Sequence, residues 1–112
     1  MKQVKKPWGY FKQFVLNKKC TVKILTVNPK SELSLQKHKN RAETWYFLTD
    51  GYVQKGKKRF KVKKGEIIKV GKGVIHRIYA GAEKVEVLEI TIGNHDEKDI
   101  IRLEDKYGRV KK

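Results

Sequence analysis

Apolar and polar residues alternate along most of this chain with a period of two, and this alternation constrains the fold more than any other feature. Successive side chains of a β-strand point to opposite faces, so the pattern is typical of strands with one buried face. The segments that show it are 10–16, 20–27, 33–38, 43–48, 59–62, 66–70, 74–79 and 85–92. Turn-forming residues separate them, as in Asn28-Pro29-Lys30, Lys55-Gly56-Lys57 and Gly71-Lys72-Gly73. We therefore predict an all-β barrel, with 96–107 as the stretch that could hold a helical turn.

The chain length and the residue types limit the class of protein. A chain of 112 residues predicts one domain over 1–112, with an N-terminal arm at 1–9 and a C-terminal tail at 94–112 that packs on the barrel. No apolar run approaches the roughly 20 residues of a membrane helix, and the first residues lack the apolar stretch of a signal peptide. Cys20 is the only cysteine, which excludes a disulfide framework and a cysteine-based zinc site. We expect a cytoplasmic protein that does not bind membranes.

The strong positive charge raises the question of a nucleic-acid partner. Lys and Arg number 28 against 12 Asp and Glu, which gives a net charge of +16. Lysines predominate and are scattered along the whole chain, whereas base readout and bidentate phosphate binding favour arginine. The segment 10–14 is the one modest candidate for a basic surface with interleaved aromatic residues. We therefore expect nucleic-acid binding to be unlikely, and a basic nucleic-acid-binding barrel remains the rival interpretation.

Residues able to bind a metal ion occur on strand faces that should look inward. Gln36 and His38 are two apart and share one face of their strand. Glu43 shares a face of the next strand with Trp45, and this apolar neighbour indicates that the face is buried. A buried carboxylate needs a partner, because an unpaired charge in the protein interior is costly.

A second histidine, His76, shares a face with the apolar Ile78 much later in the chain. A lone inward histidine is more often a hydrogen-bonded core residue, and that interpretation stays open. Two imidazoles, one carboxylate and one amide oxygen would suit a single divalent ion such as Zn, Co, Ni, Mn or Fe. The predicted ligands are Gln36, His38, Glu43 and His76.

Two segments of the chain resemble the motifs of the cupin superfamily. The segment 29–51 is similar to the first motif, in which a glycine, a His-x-His pair, a glutamate and a closing glycine recur at fixed spacing. Gln36 replaces the first histidine, Lys30 stands at the usual first glycine, and Gly51 comes one residue late. The segment 65–76 is similar to the second motif and ends on a histidine. The resemblance implies a single cupin double-stranded β-helix, which is a jelly-roll barrel.

A narrower resemblance covers nearly the whole chain. It rests on Lys6-Pro7-Trp8-Gly9, on Leu33-Ser34-Leu35-Gln36-x-His38 followed by Arg41-Ala42-Glu43-x-Trp45, and on Asp99-Ile100-x-Arg102-Leu103-Glu104-Asp105-x-Tyr107-Gly108-Arg109. Together these segments resemble the type II mannose-6-phosphate isomerase domain, in which glutamine is the expected first ligand. That domain usually forms the C-terminal part of a bifunctional isomerase and mannose-1-phosphate guanylyltransferase. The Gly-rich nucleotide loop of a guanylyltransferase does not occur in this chain, so we do not expect nucleotidyl transfer from it.

The resemblance implies interconversion of mannose 6-phosphate and fructose 6-phosphate with the aid of the metal ion. Arg41, Arg102 and Arg109 are then candidates for contacts to the phosphate or to a developing oxyanion. The general base stays open among Lys37, Lys39, His95, Glu97 and a hydroxide on the metal ion. The resemblance also implies a homodimer.

Residues 94–98 depart from the family pattern. The family typically has a Tyr-Leu-Gly-Glu-Asp stretch there, whereas this chain reads Asn94-His95-Asp96-Glu97-Lys98 and is one residue shorter. This departure and the missing partner domain keep an alternative open. The alternative is a non-catalytic metal-binding cupin, a sugar-phosphate-binding module, or a cupin that acts on another small substrate.

Overall fold

The structure, a computed structural model, describes residues 1–38, 41–93 and 100–104. The described residues form eleven strands and no helix. The strands are β1 (Lys2–Lys6), β2 (Gly9–Gln13), β3 (Cys20–Val27), β4 (Leu35–His38), β5 (Glu43–Phe47), β6 (Gly51–Lys55), β7 (Lys58–Val62), β8 (Ile67–Val70), β9 (His76–Tyr79), β10 (Val85–Ile92) and β11 (Ile100–Glu104). The prediction of an all-β fold is confirmed. Within the described ranges no helix is long and apolar enough to cross a membrane.

Two antiparallel sheets enclose the core. The first has the strand order β3-β10-β5-β8 and the second has the order β11-β4-β9-β6-β7, while β1 and β2 form a separate hairpin. Buried side chains of both sheets pack into one hydrophobic cluster, which includes Val27, Trp45, Phe47, Val53, Val62, Val70, Ile78, Val85 and Val87. The apolar face of each sheet is thus buried against the other sheet, which is the arrangement that the alternating pattern requires.

The period of two in the sequences of β5 and β10 is also seen in the burial of their side chains. In β5 every second residue, beginning with Glu43, is buried, and the residues between them are half-buried. In β10 the odd-numbered residues from Val85 to Thr91 are buried in the same way. These two strands are hydrogen-bonded neighbours, with Glu89 opposite Trp45 and Thr91 opposite Glu43. Polar residues that keep the period of two are therefore brought onto the inner face of the barrel together with the core.

Three elements differ from the expectation. The stretch 96–107 was predicted to hold a helical turn, but its described residues form β11, which pairs with β4 in the five-stranded sheet. The reason is tertiary, because β11 supplies partners to the backbone groups along one edge of β4. Strands β1 and β6 were not predicted, since β1 is rich in lysine and β6 begins at a glycine that indicates a turn.

Gly51 offers a direct test of how closely the two sheets pack. A β-carbon built on Gly51 would lie 2.7 Å from Cγ1 of Val85 and 2.8 Å from Cε2 of Phe47. Both neighbours are buried, so Gly51→Ala should overpack the core and lower the free energy of unfolding by about 1–3 kcal/mol. Thermal unfolding measures the loss.

Gly71→Ala is the matched control. The nearest atom to its β-carbon would be Cγ2 of Val74 at 3.7 Å, which is an ordinary contact. We expect its melting temperature to stay close to that of the wild type. Equal melting temperatures for Gly51→Ala and Gly71→Ala would contradict the packing described for the core.

Candidate functional site

Three potential metal ligands meet where their strands begin or end. His38 is the last residue of β4, Glu43 is the first residue of β5, and His76 is the first residue of β9. One ligand atom from each of the three lies within 4.8 Å of the others, and all three side chains are buried. Nε2 of His38 lies 2.7 Å from Oε1 of Glu43. Because zinc-type ions bind nitrogen and oxygen at about 2.0–2.2 Å, the cluster is compatible with a metal site.

Gln36 faces the same cavity as Glu43 and His76. It lies opposite His76 in the register of β4 and β9 and is half-buried. Its side-chain Nε2 donates a hydrogen bond to Oγ of Ser34 at 2.9 Å. That bond uses the amide nitrogen and leaves the carbonyl oxygen of Gln36, the atom suited to a divalent ion, available as an acceptor. The structure thus brings together all four residues that the sequence predicts as ligands, and their role as ligands stays a proposal.

His76 is held in a form that can bind a metal. Its Nδ1 lies 2.8 Å from the carbonyl oxygen of Val74, so Nδ1–H donates to the backbone and Nε2 keeps its lone pair. Burial lowers the pKa of His76, against the opposing effects of the Val74 hydrogen bond and the Glu43 charge. The neutral imidazole is therefore favoured, and a fixed ring with a free Nε2 is what a histidine ligand needs.

Glu43 is a carboxylate at neutral pH despite its burial. Burial alone raises its pKa, but the hydrogen bond from His38, the hydrogen bond with Glu89 and the nearby charges lower the pKa to about 2. Nε1 of Trp45 donates to Oε2 of Glu43 at 2.9 Å, and Nε of Arg41 lies 3.4 Å from Oε1. Several donors thus surround the buried carboxylate, which agrees with the expectation that its charge needs a partner.

Two titratable residues on the inner face, Lys23 and Glu89, were not among the predicted site residues. They face each other in the register of β3 and β10, and Glu89 also lies opposite Trp45. Burial, and then the charge of Glu43, raise the pKa of Glu89 to about 8. The period of two in the sequence could have placed both residues on the inner face. Glu89 is two residues from the buried Val87, and Lys23 is two residues from Leu25, which packs against the core.

One cavity of about 260 Å³ between the two sheets is lined by Lys23, Gln36, Glu43, His76 and Glu89. Lys23, Arg41 and Arg102 contribute cationic groups to its wall, and Glu43 and Glu89 contribute carboxyl groups. Pockets for drug-sized ligands usually measure about 300–1,000 Å³, so this volume favours a small ligand. The wall therefore combines a cluster suited to a metal ion with side chains suited to an anion.

Two of the three predicted anion-binding arginines lie in that wall. Arg41 is buried, and its Nη2 lies 3.3 Å from Nε2 of His38. Arg102 is half-buried on β11, opposite Gln36 on β4. Arg109 lies outside the described residues.

Among the side chains considered as general base, Lys37 lies within the described residues. Lys37 lies between Gln36 and His38 on β4, so it points to the opposite face of the sheet and away from the cavity. Lys39, His95 and Glu97 lie outside the described residues, as does the stretch 94–98 that departs from the family pattern.

The rival nucleic-acid surface falls on the β1–β2 hairpin. Tyr10 and Phe11 are exposed, and Trp8 between the two strands is 74% exposed. Two lysines of the hairpin lie over aromatic rings of the chain itself, Lys6 over Phe11 at 6.0 Å and Lys12 over the core-sheet Tyr46 at 5.4 Å. The hairpin has the alternating basic and aromatic residues that a nucleic-acid-binding surface would need. It contains none of the residues that line the cavity between the sheets.

The raised pKa of Glu89 has a consequence for the metal-free protein. The folded state keeps the proton of Glu89 up to about pH 8, whereas the unfolded chain loses it near pH 4.5. The wild type should therefore lose stability as the pH rises from about 4.5 to about 8, by an amount on the order of a few kcal/mol. A glutamine donates to Glu43 without titrating, so Glu89→Gln should unfold at a higher temperature than the wild type at pH 8 and at a similar temperature near pH 5.

Thermal unfolding of metal-stripped protein across this pH range makes the comparison. Glu86→Gln, on the opposite face of β10, controls for the loss of a carboxylate outside the cavity. Parallel curves of melting temperature against pH for Glu89→Gln and the wild type would contradict the account.

Comparison with known proteins places these features in a family. The chain is 33% identical over 111 residues to "Xanthan biosynthesis protein XanB" of Xanthomonas campestris pv. campestris, covering 96% of this chain and 24% of that protein. It is 34% identical over 111 residues to "Mannose-1-phosphate guanylyltransferase" of Escherichia coli, with the same two coverages. The chain thus spans about a quarter of the length of the curated relatives that it matches.

A solved structure supports the fold, and a family model covers most of the chain. The cupin 2 conserved barrel domain protein from Rhodopseudomonas palustris superposes with a TM-score of 0.66 at 14% identity, covering 87% of this chain and 83% of that one. The model of the family described as "Mannose-6-phosphate isomerase C-terminal" matches residues 1–105. The chain has the double-stranded β-helix of the cupins and belongs to the mannose-6-phosphate isomerase C-terminal family.

Proposed function

We propose that this chain is a metal-dependent aldose–ketose isomerase that interconverts mannose 6-phosphate and fructose 6-phosphate. The observation that carries the proposal is that Glu43 and His76, which form a cluster with His38, line one small cavity together with cationic side chains. Membership of a family described by this isomerisation supports the choice of substrate. A sugar phosphate has hydroxyl and carbonyl oxygens that can bind a metal ion and a phosphate group that can bind cations. The cavity wall offers a possible metal site for the first and cationic side chains for the second.

The proposed ligands fit a borderline divalent ion. Gln36, His38, Glu43 and His76 would hold it, with the ionised Glu43 and the neutral His76 already in the forms that coordination requires. Zn, Co, Ni, Mn and Fe all accept this mixture of nitrogen and oxygen donors. The ion, when bound, supplies Lewis-acid stabilisation of negative charge that develops on a sugar oxygen.

The cationic side chains would bind and orient the substrate. Arg41 lies next to the cluster, so we assign it to the sugar oxygens that become negatively charged. Arg102 lines the cavity from the edge strand β11, opposite Gln36, and we assign it to the phosphate. Arg109, from the same C-terminal segment of the sequence, is proposed as a further substrate contact. Burial of Arg41 and Glu43 limits access of water to the reacting end of the cavity.

The proposal includes a cytoplasmic homodimer. Strand β3 is at the edge of its sheet, and its outer face exposes Val22 and Ile24. An exposed apolar edge strand pairs readily with another chain, which makes a second copy the simplest cover for it.

A coupled assay of fructose 6-phosphate formation from mannose 6-phosphate tests the proposal. Chelator-stripped wild type should be inactive and should regain turnover with at least one of Zn, Co, Ni, Mn or Fe. His38→Ala should lower the restored turnover by at least about 100-fold, because it removes a ligand and leaves Glu43 without its nearest donor. Lys37→Ala, which changes the neighbouring side chain on the opposite face of β4, should retain turnover near the wild-type level.

The alternative function makes a different prediction in the same experiment. The departure at 94–98 favours a cupin that binds a sugar phosphate without converting it. Bound metal by elemental analysis and calorimetric binding of mannose 6-phosphate, without turnover for any metal, would refute the isomerase and support the binding module. Absence of both metal and turnover in the folded wild type would refute the metal site as well.

A further inference from the structure

Lys23 lies on the inner face of β3, where apolar residues are expected. In this strand Val22, Ile24 and Thr26 are exposed, so the odd-numbered positions face the barrel interior. Two of those positions hold Leu25 and Val27, which pack with the core, whereas position 23 holds a lysine that lines the cavity. A charged side chain on an inner face is costly unless other charges or a ligand meet it. Glu89, opposite Lys23 on β10, supplies part of this compensation, and an anionic ligand in the cavity that Lys23 lines would supply more.

Lys23 and Arg102 lie on the edge strands of the two different sheets. Strand β3 is the edge of the four-stranded sheet and β11 is the edge of the five-stranded sheet. Strand β4, which follows β3 in the chain, is the hydrogen-bonded neighbour of β11. Both Lys23 and Arg102 line the cavity from these edges. A cation from each sheet thus lines the same cavity.

We propose that Lys23 is a phosphate-binding residue and that it forms, with Arg102, a two-sided clamp for the phosphate group of the substrate. The inference rests on the proposed function for the nature of the substrate and adds a residue that the sequence analysis did not assign. A lysine ammonium offers three donors on a flexible stem, and an arginine offers a planar fork, so the pair can hold a phosphate from two directions.

The clamp also orients the substrate within the cavity. The cluster of His38, Glu43 and His76 lies at the strand ends next to Arg41, whereas Lys23 lies within β3, opposite Glu89. Glu89 is hydrogen-bonded to Glu43 and Arg102 lies opposite Gln36, so a phosphate held by the clamp would keep the sugar oxygens next to the cluster. The cavity of about 260 Å³ is of a size that suits a small anion of this kind.

Binding measurements on variants of Lys23 test the clamp without relying on turnover. Isothermal titration calorimetry would measure the affinity of the metal-loaded protein for inorganic phosphate and for mannose 6-phosphate. Lys23→Met keeps the length of the side chain and removes the charge, and it should weaken both affinities by about 10-fold or more, the loss of one charge-assisted hydrogen bond. Lys23→Arg should stay within about threefold of the wild type. Lys37→Met, on the outer face of β4, is the matched control and should leave both affinities unchanged.

Melting temperature and metal content separate a ligand role from a structural one. The proposal expects Lys23→Met to keep both at the wild-type level. It is overturned if Lys23→Met binds phosphate as Lys37→Met does, if it loses affinity together with metal or stability, or if the wild type binds neither anion.

The turnover assay of the wild type, together with the affinity measurements, distinguishes failure of the phosphate clamp from failure of the proposed isomerase activity. Anion binding that depends on Lys23, without isomerisation, would refute the isomerase and support the clamp. Isomerisation by the wild type with unchanged anion affinity in Lys23→Met would refute the clamp alone.

Discussion

The buried carboxylate of Glu43 is the constraint on which the rest of the site depends. It lies on the inner face of β5 and is 4% exposed, so it needs donors from every side that packs against it. His38 supplies one from the five-stranded sheet, Trp45 supplies one from the same strand, and Arg41 adds a cation from the segment before β5. The same bonds that satisfy the charge therefore join the two sheets and hold the imidazole of His38 beside the carboxylate.

This pairing explains how a small barrel can carry both a hydrophobic core and a buried polar cluster. The hydrophobic cluster occupies the interior from Trp45 toward the far end of the sheets, and the polar residues occupy the end where β4 stops and β5 and β9 begin. Trp45 belongs to both regions, since its ring packs in the core and its Nε1 binds Glu43. The aromatic ring lies 5.3 Å from the ring of His76, so core packing also fixes the second histidine. A metal site on such supports would be rigid without a disulfide or a longer chain.

The burial of most of these site residues can be predicted from the sequence, because it follows from the period of two within single strands. Glu43 shares its period with Trp45 and His76 shares its period with Ile78, so periodicity alone places both on buried faces. Lys23 and Glu89 obey the same rule, but a single lysine or glutamate in an apolar strand pattern does not by itself show whether a cavity lies beside it. Strand β11 was not predictable in this way, since its β structure depends on pairing with β4, a partner more than sixty residues earlier in the chain. The convergence of three strand ends is likewise a property of topology, which no short segment of sequence encodes.

The central claim is that Gln36, His38, Glu43 and His76 hold one divalent ion, and anomalous X-ray diffraction at the metal edge tests it most directly. Crystals of the cobalt-loaded protein would be measured on both sides of the cobalt absorption edge. The account predicts one anomalous peak per chain within bonding distance of two imidazole nitrogens, a Glu43 oxygen and the Gln36 carbonyl oxygen. A protein that crystallises with the fold described here but shows no peak at this cluster, or binds cobalt through other residues, would contradict it.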